Sequence, residues 1–197
     1  LRVGVIIPVH SFTQLVDKNR NWAYDFYRDH GHEVIVKVVC DIKDTNYIYS
    51  GKPNSLKGSI IKGLEELKEV DCINIIESDA VPNNEAARDM LSAFENFPKV
   101  GAISPVYEWQ GHICYPSHSH WFTDPIYQHG VRLPGKAGIP FLFSMWNPAA
   151  ISLIKDDNLP EVYFLDRELG RKVANEGYTF YRMVNCKVGH FGRGRNK

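Results

Sequence analysis

Glu77-Ser78-Asp79 sets two carboxylates two residues apart, directly after the apolar run Ile73-Asn74-Ile75-Ile76. Carboxylate oxygens are hard donors. Mg²⁺ or Mn²⁺ is commonly held by one or two of them, with substrate phosphates completing the shell. Taken alone, the triplet reads equally well as an acidic turn capping the next helix. Two further apolar runs end on polar groups, Pro8-Val9-His10 and Cys40-Asp41. In an open α/β sheet ligands sit outside the carboxyl ends of the strands. If all three runs are neighbouring strands, their ends meet in one crevice.

The elements needed to position these groups can be read from hydrophobic pattern. Val3–Val9 lacks polar alternation, as a central strand covered on both faces does. Thr13–His30 carries Leu15, Trp22, Phe26 and Tyr27 at roughly helical spacing, and Gly31 is placed to end that helix. Glu33–Val39 is a second strand, and Asp44–Asn54, with Gly51 and Pro53, reads as a loop. Ser55–Val70 has the apolar stripe Leu56, Ile60, Ile61, Leu64 and Leu67 of an amphipathic helix. Cys72–Ile76 is a third strand, Asn83–Phe97 a helix with Asn83 or Asn84 as N-cap, and Val100–Ile103 a fourth strand. This alternation implies a mostly parallel sheet flanked by helices. Ser104–Pro140 is aromatic-rich, His-rich and irregular, the composition of a functional segment. Asn147–Lys155 and Asp166–Glu176 read as helices, and Tyr178–Met183 and Asn185–Val188 as two short strands.

Bulk composition narrows the function. The 197 residues suit one domain, with 44% hydrophobic and 23% charged residues and a formal net charge of zero. A neutral balance argues against a dedicated nucleic-acid binder; the one basic run is Arg193–Lys197. Cys40, Cys72, Cys114 and Cys186 form no CxxC pair, and they are expected to be reduced thiols rather than zinc ligands. No apolar run approaches the ~20 residues that span a bilayer. Leu1–Val9 has the pattern of a core strand, so no signal peptide is expected within the sequence. The expectation is a cytoplasmic protein without a membrane partner.

The ordered set of motifs resembles the family-2-like glycosyltransferases of the GT-A fold, which use nucleotide sugars. Val3-Gly4-Val5-Ile6-Ile7-Pro8-Val9-His10 is similar to their first strand. Ser55–Gly63 loosely resembles their helix entry, and Ile73–Asn83 stands where they carry the DxD motif. Phe164-Leu165-Asp166-Arg167-Glu168-Leu169, followed by Gly177, resembles their catalytic helix, and Gly189-His190 stands where a late histidine is common. The resemblance covers nearly the whole chain. It implies a single GT-A domain over 1–197, with 1–103 binding the nucleotide sugar and 104–197 the acceptor. Pro8, Val9 and His10 would line the nucleobase pocket, and Asp41 would contact base or ribose. Lys57, Glu77, Ser78 and Asp79 would complete the donor site. Asp79, Glu77 and His190 would hold Mn²⁺ or Mg²⁺, an imidazole suiting Mn²⁺ better. Asp166 would be the general base. The donor would be a UDP-sugar and the reaction a metal-dependent, inverting transfer to a hydroxyl.

Some features depart from the family pattern. Glu77 replaces the first Asp of DxD, and Leu165 replaces an acid that often precedes the base. The motif of processive members is absent, which favours single transfers. Asp166 could instead serve only as a carboxylate on a helix N-terminus, and His190 could be structural. His112, His118, His120 and His129 form a loose cluster, better suited to an acceptor loop than to zinc. Trp109, Trp121, Phe122, Tyr127 and Trp146 could stack on sugars or form a local core. A nucleotidyltransferase of similar architecture would need a Gly-rich loop after the first strand, where His10-Ser11-Phe12-Thr13 stands. A nucleotide-sugar-binding module without activity is the other alternative. The acceptor could be a saccharide, a protein, or a hydroxymethylated base in DNA held through Lys136 and Arg193–Lys197.

Overall fold

The structure, a computed structural model, describes residues 1–10, 15–43, 46–109, 112–114, 131–133, 141–162 and 164–190. For 107–109, 112–114, 131–133, 184–187 and 190 only the backbone is described. In chain order the elements are β1 (Arg2–Val9), α1 (Leu15–Asp29), β2 (Glu33–Cys40), β3 (Ile48–Tyr49) and α2 (Leu56–Glu65). Then come β4 (Cys72–Ile76), β5 (Ala80–Val81), α3 (Asn84–Asn96), β6 (Val100–Trp109), β7 (His112–Cys114) and β8 (Val131–Leu133). β9 (Phe143–Trp146), α4 (Pro148–Ser152) with a 3₁₀ turn (Leu153–Lys155), α5 (Leu165–Asn175) and β10 (Thr179–His190) complete the described chain.

The strands form one sheet in the order β3-β2-β1-β4-β9-β6-β10-β5, with β7 on β6 and β8 on β10. The two longest ladders, β1 with β2 and β6 with β10, are parallel, as is β1 with β4. The continuous apolar character of β1 follows from burial on both faces. Val3, Val5, Ile7 and Val9 pack with α1 and α3 in one cluster, while Ile6 packs with α2, α4 and α5 in the other. Gly63 lets α2 lie directly on β1. A Cβ there would come within 2.7 Å of Ile6 Cγ2, and one at Gly4 within 2.7 Å of Leu67 Cδ1. This close approach brings the N-terminus of α2 over the carboxyl end of β1.

Several elements differ from the sequence reading. The expected helix Ser55–Val70 ends at Glu65, because Leu67 folds back over Gly4 from the turn that follows and Glu69 takes φ 53°. The loop expected at Asp44–Asn54 contains β3, paired to the end of β2. The fourth strand runs on to Trp109. The two strands expected after Gly177 are one, β10, whose register against β6 shifts between Met183 and Lys187. β9 was not anticipated; it inserts antiparallel between β4 and β6, so the centre of the sheet is mixed. Trp146, at its end, is 0% exposed against Phe141 and Phe180, which makes it core. Cys40 and Cys72 are buried thiols, and burial pushes the Cys72 thiol up to about 12. Among the described residues no helix is long and apolar enough to cross a membrane.

Candidate functional site

At the carboxyl ends of β1, β2 and β4 lies a cleft of about 220 Å³. Pro8, Val9 and His10 line it from β1, Asp41 from β2, and Glu77, Ser78 and Asp79 from the turn after β4. Leu56 and Ser59 on α2 and Val162 close it from above. The three strand ends singled out by sequence therefore do meet.

Asp41 is 2% exposed, while His10 beside it is 72% exposed. His10 Nδ1 lies 2.6 Å from Asp41 Oδ2. The other carboxylate oxygen, Oδ1, is buried and has no hydrogen-bond partner among the described residues. Buried polar atoms are paired in the great majority of native structures. An orphaned acceptor on the wall of a cleft is thus suited to receive an N–H or O–H from a ligand.

The acidic turn is fixed from below. Glu77 N donates to the Leu142 carbonyl at 2.9 Å, and Ala80 N closes the turn onto the Glu77 carbonyl at 3.0 Å. Asn19, buried on the inner face of α1, donates its Nδ2 to the carbonyls of Glu77 and Ala80 at 3.3 and 3.0 Å. Asn74 in β4 is held similarly, donating to the Ser144 carbonyl at 2.9 Å and accepting from the Tyr27 hydroxyl at 3.2 Å. Burial, with a smaller contribution from Cys72, raises the Tyr27 hydroxyl well above its ordinary value and keeps it a donor. Sequence reasoning passed over Asn19. The signal was available, because an amide at an inward position of an amphipathic helix needs a buried partner.

The opposite lip is formed by residues 156–162 and 164–166 and is tied to α2. Ser55 caps α2 by accepting from Gly58 N at 2.7 Å, and its hydroxyl also donates to Glu161. Lys52 Nζ pairs with Glu161 at 2.5 Å and Lys172 Nζ with Asp156 at 2.5 Å. Burial pushes the Glu161 carboxyl up, but the hydrogen bonds from Lys52 and Ser55 and the Lys52 and Lys57 charges outweigh it and leave it lowered. Asp156 falls to about 2, chiefly through its hydrogen bond from Lys172.

Lys57 is placed differently from the sequence expectation. It does not line the cleft; its Nζ donates to the carbonyls of Asp156 and Leu159 at 2.7 and 3.1 Å, anchoring the lip. Asp166 is the second residue of α5 and partly exposed; it stands beyond Val162, which lines the cleft, and is not itself in the lining. Leu165, in the place of the missing acid, is 0% exposed in the apolar cluster under α5, so that position faces the core. The backbone of His190 pairs with Ala80, next to Asp79, and its side chain is not described. Trp121, Phe122, Tyr127, His118, His120, His129, Lys136 and Arg193–Lys197 lie outside the described residues.

A divalent cation fits what is present. Glu77 and Asp79 bring hard oxygen donors to an open cleft. Among the described residues no three His, Cys, Asp or Glu stand close enough to form a complete cage. A cation here would have to take part of its shell from a ligand, as Mg²⁺ and Mn²⁺ do with phosphates.

No protein-family model matches the chain, and no curated protein matches it by sequence. Solved structures do match. A mannosyltransferase from Pyrobaculum calidifontis, in complex with GDP-Man and Mn²⁺, superposes with a TM-score of 0.68 at 14% identity, covering 98% of this chain and 58% of that one. GalNAc-T7 with UDP, GalNAc and Mn²⁺ gives 0.68 at 9% identity, covering 99% and 44%. Glucosyl-3-phosphoglycerate synthase from Mycobacterium tuberculosis, with Mn²⁺, UDP and phosphoglyceric acid, gives 0.65 at 10%, covering 98% and 71%. The chain thus spans under three fifths of the mannosyltransferase's length. At these identities the likeness is one of fold. The mostly parallel, helix-flanked sheet is the GT-A, Rossmann-like fold.

Proposed function

We propose that this chain is a nucleotide-sugar-dependent glycosyltransferase whose donor occupies the cleft of Asp41, Glu77 and Asp79. The observation that carries the proposal is the meeting of a buried, orphaned carboxylate oxygen and two further carboxylates in one cleft at the strand ends. Three proteins of the same fold have been solved with Mn²⁺ and a nucleotide or nucleotide sugar, which supports it.

Asp41 favours uracil as the base. Guanine presents adjacent N–H donors that take both oxygens of a carboxylate, whereas uracil offers one ring N–H. Oδ2 is already shared with His10, and Oδ1, which has no partner among the described residues, suffices for that one N–H. Pro8, Val9 and His10 flank that base. Glu77 and Asp79, with His190, would hold a divalent cation; Asp79 carries most of this role, since Glu77 departs from the usual Asp. The cation, when bound, supplies Lewis-acid neutralisation of the departing diphosphate.

The chain's own residues do the rest. Asp166 takes the proton of the acceptor hydroxyl as its oxygen bonds to the anomeric carbon. The bond from that carbon to the diphosphate oxygen breaks, its electron pair leaves with the nucleoside diphosphate, and the configuration inverts. A hydroxyl is a weak nucleophile until a base removes its proton. The first half of the chain, 1–103, serves the donor and 104–197 the acceptor.

A second reading, a donor-binding module that does not transfer, is favoured by Leu165, which stands in the place of the acid that often precedes the base and is buried in the core. Incubation with UDP-sugars, Mn²⁺ and simple saccharides separates the two. Sugar transfer or donor hydrolysis supports the enzyme. Metal-dependent UDP binding without turnover of any UDP-sugar supports the module.

A further inference from the structure

Phe164 breaks three local rules at once. It is the N-cap residue of α5, where Ser, Thr, Asp or Asn is preferred, and it makes no side-chain capping bond. Its backbone is left-handed, at φ 63° and ψ 8°, a conformation costly for a bulky side chain. Its ring is 58% exposed, the most exposed of the large hydrophobic side chains among the described residues. Local strain of this kind is kept where the surroundings enforce it, and it concentrates at functional sites.

Its surroundings say what the ring could do. Leu165 N donates to the Val162 carbonyl at 3.4 Å, so Phe164 sits in a tight turn whose first limb, Val162, lines the cleft. Asp166 follows two residues later. One face of the ring is covered by the Arg167 guanidinium, 4.6 Å from the ring centre. The guanidinium favours this orientation of the ring while much of the residue stays open to solvent. An open aromatic face offers C–H contacts to the apolar face of a sugar ring. It equally offers stacking to a nucleobase, but the flanking cations do not favour a polyanion. Arg167 and Arg171 are both engaged by Glu168.

Building on the glycosyltransferase reading, we propose that Phe164 is an acceptor platform, on which a pyranose ring of a saccharide stacks so that its hydroxyl faces Asp166 and the cleft. Phe164 is then a specificity residue for the acceptor and has no part in donor binding.

Saturation-transfer NMR tests this with methyl β-D-glucopyranoside, methyl α-D-mannopyranoside and methyl β-D-galactopyranoside, each added to the protein with UDP and Mn²⁺. The samples are wild type, Phe164→Gly and Phe164→Trp. Glycine accepts the positive φ, so the first variant removes the ring without asking the backbone to change. The expected result is transfer to the ring C–H protons of at least one glycoside, reduced by about three- to tenfold in Phe164→Gly and kept in Phe164→Trp. UDP binding, measured in the same samples, should be equal in all three. An absent glycoside signal in wild type, or one unchanged in Phe164→Gly, overturns the platform while UDP binding leaves the donor site standing. Loss of UDP binding in wild type itself overturns the donor reading and the platform with it. If a single-stranded oligonucleotide bearing 5-hydroxymethylcytosine binds through Phe164 and no glycoside does, the platform serves a base and the saccharide proposal is wrong.

Discussion

The two walls of the cleft are held by different forces. The wall proposed to bind the donor, here the donor wall, is built from β1, β2 and β4, whose ends are buried, and its acidic turn hangs on neutral hydrogen bonds from Asn19. The facing lip, residues 156–162 and 164–166, which the proposed function gives to the acceptor, is held by the charged pairs Lys52–Glu161 and Lys172–Asp156 and by the Lys57 ammonium on two carbonyls. Neutral bonds under a covered sheet are indifferent to salt, whereas exposed ion pairs are worth ~0–1 kcal/mol each and are screened. A wall held by neutral bonds facing a lip tied by partly exposed charges suits the proposed division between a fixed donor and an acceptor that enters and leaves.

Four substitutions or conditions can break that comparison, and the largest effect concerns chemistry. Asp166→Asn should lower transfer by ~10²-fold or more, the usual loss for a general base, while UDP binding stays unchanged. Steady-state transfer assays with parallel calorimetry check both halves; wild-type turnover in this variant would remove Asp166 from the mechanism. Next comes the donor wall. Asn19→Leu takes a buried donor from the Ala80 carbonyl and one of two donors from the Glu77 carbonyl, and should cost ~1–3 kcal/mol in denaturant unfolding, with weaker UDP binding as the Glu77–Ala80 turn loosens. Unchanged stability and unchanged affinity together would show that the turn does not depend on Asn19.

Lys57→Met should affect only the lip. Two carbonyls lose a charged donor, so hydrogen exchange over 153–162 should rise while UDP affinity holds. A fall in UDP affinity with the fold intact would return Lys57 to the donor site, where its sequence position suggested it. The smallest effect is that of pH. Glu161 and Asp156 have folded values below their ordinary 4.5 and 3.8, so they stabilise the lip above those values and stop doing so as pH falls through the lowered ones. Exchange of 153–162 should be the same at pH 7 and 5 after correction for intrinsic rates, and faster at pH 3, approaching the range where Asp156 titrates near 2. β4 should not follow. Equal loosening of β4 and the lip at pH 3 would contradict the division between the walls.

The donor wall was legible because its parts are local. Val3–Val9, Glu33–Val39 and Cys72–Ile76 announce themselves as buried strands, and each ends on the polar residue that reaches the cleft. The lip was not. Ser55 and Glu161 meet across 106 residues, and Lys57 looked like a donor residue because nothing nearby in sequence reveals the carbonyls it satisfies. β9 was missed for the same reason: its short apolar run follows an irregular segment, and its strand state comes from pairing with β4 and β6. His190 stood out only by its order in the motif set. Its backbone neighbour Ala80 comes from the antiparallel pairing of β10 with β5, which no local pattern encodes. Phe164 belongs to the motif around Asp166, but its left-handed backbone is invisible in a phenylalanine.

The central claim is that the cleft binds a nucleoside diphosphate together with a divalent cation. Isothermal titration of UDP into the protein, with and without Mn²⁺, in wild type and Asp79→Ala, tests it most directly. The predicted result is saturable binding that requires Mn²⁺ in wild type and is abolished in Asp79→Ala. UDP binding that is indifferent to Mn²⁺ or to Asp79, or no binding in wild type, would contradict the account.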